Sequence, residues 1–390
     1  MKHKSPTICP MPFSSISYSM TGRMGPCTAC DLTQYKTVND YWKSDELRKL
    51  RSDMLNGIRN PVCNECYRRE DIGAWNMREY QVGANPDFNY DLDDATIRQI
   101  WFRFSNVCNY MCIDCNGETS TLIAKEEVAR GLRPKDQILF VPGNDPNAAL
   151  EQAKEHVHTL KEINFSGGEP LTHWQHWDML NYMISKNARP IIGYFSNLSF
   201  LDYKGQSITD LWNNFDSVGV HVGFDAMGPG CNYFRRNMSW EGTLENIARI
   251  RKESPHVEIT LTTTFTWLNA INAVDMLFWF YKHLRSLKVT INLVVHKHLD
   301  MRVAPEFKKR QIDEALRKLL TLTNPNFDVP MVESLLNYLW GGDYSDNFPD
   351  ALRWLKSQDM WRKQDFRESF PEHLDIHYED YLPELQTKTE

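Results

Sequence analysis

The sequence contains no stretch of roughly 18 or more uninterrupted apolar residues, the length that a membrane-spanning helix needs. The N-terminal residues MKHKSPTICPMPF also lack the continuous apolar core of a secretory signal peptide. We therefore expect a cytoplasmic protein that does not associate with a membrane.

Long basic runs, low-complexity tracts and repeats of solenoid length are also missing. The chain has 44 Lys and Arg residues against 51 Asp and Glu residues, which gives a net charge of −7. This balance does not favour non-specific binding to nucleic acid, so no nucleic-acid partner is expected.

Cysteine, in contrast, is plentiful and unevenly placed. Eight of the nine cysteines lie within the first 115 residues, and only Cys231 stands apart. Cytosolic thiols stay reduced, so such a cluster indicates metal binding or catalysis rather than a disulfide framework.

Apolar periodicity from residue 97 onward alternates short β-rich segments with longer helical ones. The predicted strands are Ile100–Val107, Glu162–Phe165, Pro190–Ser196, Ser217–Phe224, Val257–Thr264 and Lys288–Val295. The predicted helices between them are Ser120–Gly131, Trp174–Ser185, Ile208–Asn214, Trp240–Lys252 and Asn272–Leu284. Six βα units predict an α/β fold, a partial (β/α)6 TIM-like barrel, with an inserted loop at residues 141–147.

Three regions follow from this pattern. Residues 1–96 are predicted to form a small Cys-rich domain around a metal, with one helix at Ser44–Asn56, and residues 97–304 form the barrel. Residues 305–390 form a helical C-terminal extension, whose predicted helices are Glu306–Thr321, Val332–Leu339 and Asp350–Asp365.

Cys108, Cys112 and Cys115 follow the apolar strand WFRFSNV, where a loop at the C-terminal edge of a barrel would begin. Barrel enzymes place their chemistry in these loops. Three thiolates can hold three irons of a [4Fe–4S] cluster and leave the fourth iron open to a ligand. Zinc is the alternative, but it usually draws on a fourth Cys or His, and none follows Cys115 closely.

A second motif, Gly167-Gly168-Glu169-Pro170, ends the second predicted strand. The two glycines let the backbone come close to a ligand, and Glu169 can accept hydrogen bonds from an ammonium group. A C-x3-C-x2-C motif after the first strand, followed by this element, resembles the radical S-adenosylmethionine (radical SAM) superfamily.

The resemblance implies that the amino and carboxylate groups of S-adenosylmethionine (SAM) chelate the open iron, and that Gly167 to Pro170 bind the methionine amine. It also implies contacts to the methionine carboxylate and the ribose from further strand ends, at Ser196, Asn197, Asp225 and Arg235. The superfamily usually has an aromatic residue directly before the third cysteine, whereas this chain has Asp114. We expect four more polar residues to face the same cavity, namely Thr264, Asn269, His296 and His298.

The remaining N-terminal cysteines resemble the auxiliary-cluster pattern of SPASM and twitch domains, here placed before the barrel as in the N-terminal twitch radical SAM proteins. The resemblance implies a second [4Fe–4S] cluster, for which we choose Cys9, Cys27, Cys63 and Cys66. Cys30 is a spare thiol or an alternative fourth ligand. A structural zinc knot of two C-x2-C pairs is the competing interpretation.

The function implied is an enzyme that reductively cleaves SAM and forms a 5′-deoxyadenosyl radical, which abstracts hydrogen from a peptide or small-molecule substrate. An electron donor such as a flavodoxin or ferredoxin is implied as a partner. Cys231 is either a hydrogen donor or an inert buried thiol. The alternative function is a zinc-stabilised binding module on a catalytically silent barrel.

Overall fold

The computed structural model describes residues 5–19, 23–30, 33–71, 76–93, 95–141, 145–293 and 296–382. Its strands are β1 Ser15–Tyr18, β2 Arg23–Gly25, β3 Thr33–Gln34, β4 Gln99–Phe102, β5 Met111–Cys112, β6 Glu162–Phe165, β7 Ile191–Ser196, β8 Asp202–Tyr203, β9 Gln206–Ser207, β10 Val218–Gly223, β11 Arg235–Arg236, β12 Glu258–Phe265 and β13 Lys288–Leu293. The helices up to the end of the barrel are α1 Met11–Ser14, α2 Val38–Trp42, α3 Asp45–Leu55, α4 Asn64–Asp71, α5 Met77–Ala84, α6 Thr121–Ala129, α7 Pro146–Glu155, α8 Trp174–Ser185, α9 Ile208–Trp212, α10 Pro229–Phe234, α11 Trp240–Glu253 and α12 Ala270–His283. The C-terminal helices are α13 Glu306–Leu319, α14 Val329–Trp340, α15 Phe348–Arg362, α16 Phe366–Ser369 and α17 Tyr378–Tyr381.

Six parallel strands, β4, β6, β7, β10, β12 and β13, stand side by side in chain order. The predicted helices α6, α8, α9, α11 and α12 connect them, so the predicted partial (β/α)6 barrel is confirmed. The first strand ends five residues earlier than predicted, at Phe102, and the chain reaches Cys108 through an irregular segment. Residues 294 and 295, the last two of the sixth predicted strand, lie outside the described residues.

Alternation along the strands separates two faces of this sheet. In β10, Val218, Val220 and Val222 are buried against the helices, whereas Gly219, His221 and Gly223 are half-buried on the other face. His221 and Gly223 border a cavity inside the barrel. The inner face of the sheet is therefore available to a ligand, and the outer face forms the core.

The N-terminal region contains more structure than the sequence predicts. Besides α3, which begins after the N-cap residue Ser44, it holds α4 and α5, each of eight residues. Strand β1 pairs in parallel with β4, and β2 and β3 extend the same sheet. The N-terminal residues thus add strands directly to the barrel edge; the division of the chain near residue 96 stays a prediction.

The inserted loop predicted at residues 141–147 is partly wrong, because Pro146 begins α7. Asp145 caps this helix, since its carboxylate accepts a hydrogen bond from the backbone N–H of Asn147 at 2.9 Å. Asp-Pro is a turn signal, but it is also a helix start when the chain that follows is apolar on one face. Residues 142–144 lie outside the described residues.

The C-terminal helices pack against the barrel and include the three that were predicted. Arg362, at the end of α15, pairs with Glu126 of α6 at 3.0 Å, and both side chains are buried. Asp359 accepts a hydrogen bond from the hydroxyl of Tyr233 at 2.6 Å. Within the described ranges, none of the helices combines the length and the apolar character needed to cross a bilayer.

Candidate active site

The three clustered cysteines lie just beyond the end of β4. Cys112 belongs to the short strand β5, which pairs antiparallel with β11 so that Cys112 stands opposite Arg235. The guanidinium of Arg235 comes within 3.8 Å of the Cys112 sulfur atom. Cys108 is half-buried, Cys112 is buried and Cys115 is exposed, so the thiols run from the protein interior to its surface.

A cavity of about 240 Å³ joins these cysteines to the ends of the neighbouring strands. Its lining consists of Cys108, Tyr110, Cys112, Cys115, Thr119, Ser120, Gly167, Gly168, Glu169, Phe195, Ser196, Asn197, His221, Gly223, Arg235 and Thr262. Of the barrel residues predicted to bind a cluster or SAM, all but Pro170 and Asp225 therefore border a single cavity. Parallel strands bring their carboxyl ends to one edge, which is why distant sequence motifs meet here.

The thiols of Cys108 and Cys112 favour the protonated form. Burial raises the pKa of Cys108 to about 12. A hydrogen bond with Cys115, followed by burial, raises the pKa of Cys112 as well. A metal cluster must displace these protons when it binds, because thiolates are the ligands. Three thiols in one cavity, with Arg235 beside one of them to offset negative charge, fit the three-cysteine ligation of a [4Fe–4S] cluster.

The turn after β6 is locked onto the cysteine loop. Gly167 and Gly168 both have positive φ, of 77° and 56°. A Cβ atom on Gly168 would overlap the carbonyl oxygen of Val107 and come within 2.9 Å of its carbonyl carbon. The backbone N–H of Glu169 donates to that same oxygen at 2.8 Å. Only glycine permits this close approach of the two loops.

The Val107 peptide is held from its other side by Ser105 and His173. Its N–H donates to the hydroxyl oxygen of Ser105 at 3.1 Å, and that oxygen lies 3.2 Å from Nδ1 of His173. Burial lowers the pKa of His173 to about 4, so its imidazole is neutral. The residue immediately before Cys108 is thus fixed through both its N–H and its carbonyl group.

Glu169 is almost completely buried and accepts three hydrogen bonds. Its Oε1 atom accepts from the hydroxyl of Ser196 at 2.7 Å and from the N–H of Leu171 at 3.1 Å. Its Oε2 atom accepts from the N–H of Asn197 at 2.7 Å. Burial nevertheless raises the pKa of Glu169 to about 7. A carboxylate has about four acceptor sites, so Oε2 keeps one for a further donor such as an ammonium group.

Asp225 and Arg235 form a buried ion pair. Oδ2 of Asp225 accepts from Nε of Arg235 at 2.5 Å, and Oδ1 accepts from the N–H of Thr264 at 2.8 Å. Gly223 leaves room for the guanidinium, because a Cβ atom there would overlap it. Arg235 reaches the cavity, whereas Asp225 lies behind it and orients the guanidinium.

In sequence, the chain is similar to a curated protein from Selenomonas ruminantium named S-adenosylmethionine-dependent nucleotide dehydratase. The two are 28% identical over 134 residues, which is 31% of this chain and 47% of that protein, so the chain spans about half of its relative's length. No protein-family model matches the chain.

Solved structures of low similarity include the native form of anSMEcpe with bound AdoMet, at 16% identity and a TM-score of 0.40, covering 57% of this chain and 59% of that one. SuiB from Streptococcus suis is 10% identical with a TM-score of 0.35, covering 80% of this chain and 69% of that one.

Several residues predicted for this site lie elsewhere. Pro170 is buried and begins a short 3-10 helix, Pro170–Thr172. The side chain of Asn269 is used internally, because it hydrogen-bonds Thr264 and Thr266 and the carbonyl oxygen of Asp225.

His296 and His298 face away from the cavity that the clustered cysteines line. Both rings pack against Trp354 of α15, each with its ring centroid 5.2 Å from the centroid of Trp354. His298 lines a different cavity, between the loop after β13 and the C-terminal helices. The position of these two histidines depends on the path of the loop after β13. The apolar pattern of the strand does not specify that path.

Other cavity residues were missed from the sequence. Phe195, His221 and Thr262 lie on the inner face of β7, β10 and β12, and Tyr110 lies inside the cysteine loop. Asn109 links that loop to the third strand end, because its Oδ1 atom accepts from Asn197 at 2.9 Å. The alternation of apolar and polar residues along β10 and β12 is the signal that could have found the strand residues.

Asp114 lies between two of the cysteines. It, Cys112 and Cys115 each place one ligand atom within 4.8 Å of the others. Burial, followed by repulsion from Asp225, raises the pKa of Asp114 to about 6. A carboxyl group therefore stands directly before Cys115, at the position where the resemblance implies an aromatic ring.

The N-terminal cysteines also approach one another. Cys9, Cys27, Cys63 and Cys66 are buried, and burial, followed by repulsion from the thiols of the other three, raises the pKa of Cys9. Cys30 lies beside Cys27 and donates to the carbonyl oxygen of that residue at 3.1 Å. Cys231, the isolated cysteine, is buried in the hydrophobic core, and burial raises its pKa to about 12.

Proposed function

We propose that this protein is a radical SAM enzyme in which Cys108, Cys112 and Cys115 hold a [4Fe–4S] cluster. The observation that supports this proposal is the meeting of three thiols and the Glu169 carboxylate in one cavity at the carboxyl edge of the barrel. When bound, the cluster and SAM supply one-electron reductive cleavage of the sulfonium, which yields a 5′-deoxyadenosyl radical that abstracts hydrogen from a substrate.

In this proposal, the residues of the chain bind SAM and orient it. Glu169 accepts the methionine ammonium of SAM, because Oε2 retains an acceptor site while Ser196 and the N–H of Asn197 fix the carboxylate. Arg235 offers a cation to the methionine carboxylate, and Asp225 fixes its direction. Gly168 holds the turn against the cysteine loop, so the ammonium site and the thiols keep a constant separation.

We propose that the substrate is a peptide or a small molecule, and that an electron donor such as a flavodoxin or ferredoxin supplies the electron. The name of the curated relative, a nucleotide dehydratase, favours a small molecule of the nucleotide class. A reducing cytoplasm suits this function, because iron–sulfur ligation needs free thiols.

We further propose that Cys9, Cys27, Cys63 and Cys66 ligate an auxiliary [4Fe–4S] cluster in the N-terminal region. The burial of all four thiols, and the approach of the other three to Cys9, support this set. The test is the iron content of a variant in which Cys108, Cys112 and Cys115 are all Ala. About four irons per chain are expected; a value near zero, or zinc in place of iron, would overturn the auxiliary cluster.

The main proposal is tested by anaerobic iron–sulfur reconstitution followed by incubation with SAM and dithionite. Wild-type protein is expected to release 5′-deoxyadenosine, and a Cys112→Ala variant is expected to release none above background. Cys231→Ala is the control for the loss of a buried thiol outside the cavity, and it should retain the cluster. A colourless protein that holds zinc at Cys108, Cys112 and Cys115 would instead support a zinc-stabilised binding module.

A further inference from the structure

Arg103 is a cation without a counter-charge on the inner face of the barrel. It follows β4, two residues after Trp101, so both side chains lie on the face opposite the buried Phe102 and Phe104. Among the described residues, no carboxylate forms an ion pair with Arg103. The Nε atom of Arg103 donates a long hydrogen bond, of 3.4 Å, to the hydroxyl of Ser166.

The position of Arg103 relates it to the cavity. A Cβ atom on Gly167, which lines the cavity, would lie 2.8 Å from Cγ of Arg103, so the aliphatic part of the arginine runs directly beneath the glycine turn. Burial lowers the pKa of Arg103. A half-buried guanidinium that pairs with no carboxylate among the described residues can still pair with an anionic ligand.

Arg235, the cation among the residues that line the cavity, differs from Arg103 in this respect. Asp225 already neutralises it at 2.5 Å, and its guanidinium points at Cys112. Arg103 is therefore the better candidate for a second anion, distinct from the carboxylate of SAM.

Aromatic rings line the same inner face beside Arg103. Phe195 stacks on His221 with their ring centroids 4.8 Å apart and their planes 12° apart, and Trp101 lies 6.0 Å from Phe195. Phe195 is 43% exposed, although it lies inside the barrel. Burial lowers the pKa of His221, which favours the neutral imidazole. These rings offer a flat apolar surface on which a planar ring can stack.

Two polar atoms on this face have no hydrogen-bond partner among the residues that the structure describes. Nε1 of Trp101 and Oγ1 of Thr262 are buried and unpartnered, and Thr262 borders the cavity. Buried polar groups are normally satisfied, so a ligand with hydrogen-bonding groups would suit this surface.

We propose that Arg103 binds a phosphate group of the substrate while Phe195 and His221 stack against its ring, so that the substrate is a nucleotide or another phosphorylated planar heterocycle. This inference rests on the proposed radical SAM function and assigns its substrate class. A guanidinium matches phosphate oxygens in a bidentate geometry, and aromatic stacking tolerates different bases. An aromatic peptide with a terminal carboxylate could also stack and pair with Arg103, but more weakly. The test distinguishes such a peptide from a nucleotide.

The test uses the reconstituted holoenzyme with SAM, and calorimetric titration of ATP, CTP, GTP and UTP. At least one triphosphate is expected to bind at least about tenfold more tightly than its own nucleoside. Arg103→Gln is expected to remove this preference, and Arg103→Lys to keep part of it, because lysine keeps the charge but loses the bidentate geometry. Arg98→Gln, an exposed arginine next to β4, is the matched control and should bind like wild type.

Three results would overturn the inference. They are triphosphates that bind no better than nucleosides, Arg103→Gln protein that binds them as tightly as wild type, and tighter binding of a Phe-Phe dipeptide than of any nucleotide. SAM binding is measured in the same variants, and a loss of SAM affinity equal to the loss of nucleotide affinity would assign Arg103 to SAM instead. The release of 5′-deoxyadenosine by wild-type protein without nucleotide reports separately on the proposed function.

Discussion

Replacing Gly168 with alanine tests how tightly the glycine turn is locked to the cysteine loop. A new Cβ atom would lie 2.9 Å from the carbonyl carbon of Val107, whereas carbon atoms in contact are about 3.5 Å or more apart. The loops must separate by at least roughly 0.6 Å, because the carbonyl oxygen of Val107 lies closer still to the new Cβ atom. A shift of that size along the hydrogen bond from Glu169 N–H to Val107 would lengthen it from 2.8 Å to about 3.4 Å, beyond the normal range.

The magnitude follows from three costs. Alanine at φ 56° costs about 1–2 kcal/mol in the left-handed region. Loss of the hydrogen bond costs about 0.5–1.5 kcal/mol, and overpacking costs about 1–3 kcal/mol. Gly168→Ala should therefore lower the free energy of unfolding by about 2.5–6.5 kcal/mol, as the sum of those ranges. Because the shift also moves Glu169, the SAM dissociation constant should rise at least about tenfold.

The matched control is Gly205→Ala in the turn between β8 and β9. Gly205 also has a positive φ, of 82°, but nothing lies within 4 Å of a Cβ atom placed there. This variant should lose only about 1–2 kcal/mol and keep its SAM affinity. Urea unfolding and calorimetric titration with SAM measure both quantities. Equal losses of stability in the two variants, with SAM affinity intact in Gly168→Ala, would refute the reasoning.

Three further predictions concern the surroundings of the site. Asp225→Asn should lower the free energy of unfolding in urea by about 3–5 kcal/mol, because the buried Arg235 loses its counter-charge; a loss below about 1 kcal/mol would contradict this. The raised pKa of Glu169, about 7, means that its carboxyl is increasingly protonated as pH falls through 7, and only the ionised form accepts an ammonium group. SAM affinity measured by calorimetry should therefore fall as pH drops through this range, and a flat profile would argue against Glu169 as the acceptor. His173→Phe keeps a buried ring but removes the imidazole nitrogen that contacts the hydroxyl of Ser105, so the reconstituted cluster should lose iron to a chelator faster than in wild type. His173→Asn should restore part of the iron retention, and equal rates of iron loss in all three proteins would exclude a positioning role for His173.

The cysteine loop shows which features of the site a local sequence pattern can predict. The spacing of Cys108, Cys112 and Cys115 and the neighbouring Gly-Gly-Glu-Pro element are local patterns, so both could be recognised without the fold. Their place at one barrel edge was also predictable, since parallel strands end on the same side of a sheet. The helix α8, observed at Trp174–Ser185 as predicted, reflects a clear apolar period in a single segment.

Contacts between distant segments were not predictable in the same way. The pairing of β1 with β4 joins residues 15–17 to 99–101, and nothing within either segment specifies the other. The same holds for the pairing of β5 with β11, which brings Arg235 to Cys112. Likewise, Trp354 decides where His298 points, because the ring of His298 stacks on it across 56 residues of chain.

The sequence by itself determined the spacing of the three clustered cysteines, the order of the βα units and the residues of the glycine turn, because each depends on spacing within a short segment. The tertiary structure alone decided which side chains face the cavity, that Asp225 lies behind Arg235 rather than beside it, and that Arg103 has no carboxylate partner among the described residues. Burial and charge pairing depend on neighbours brought together by packing, and no local pattern encodes them.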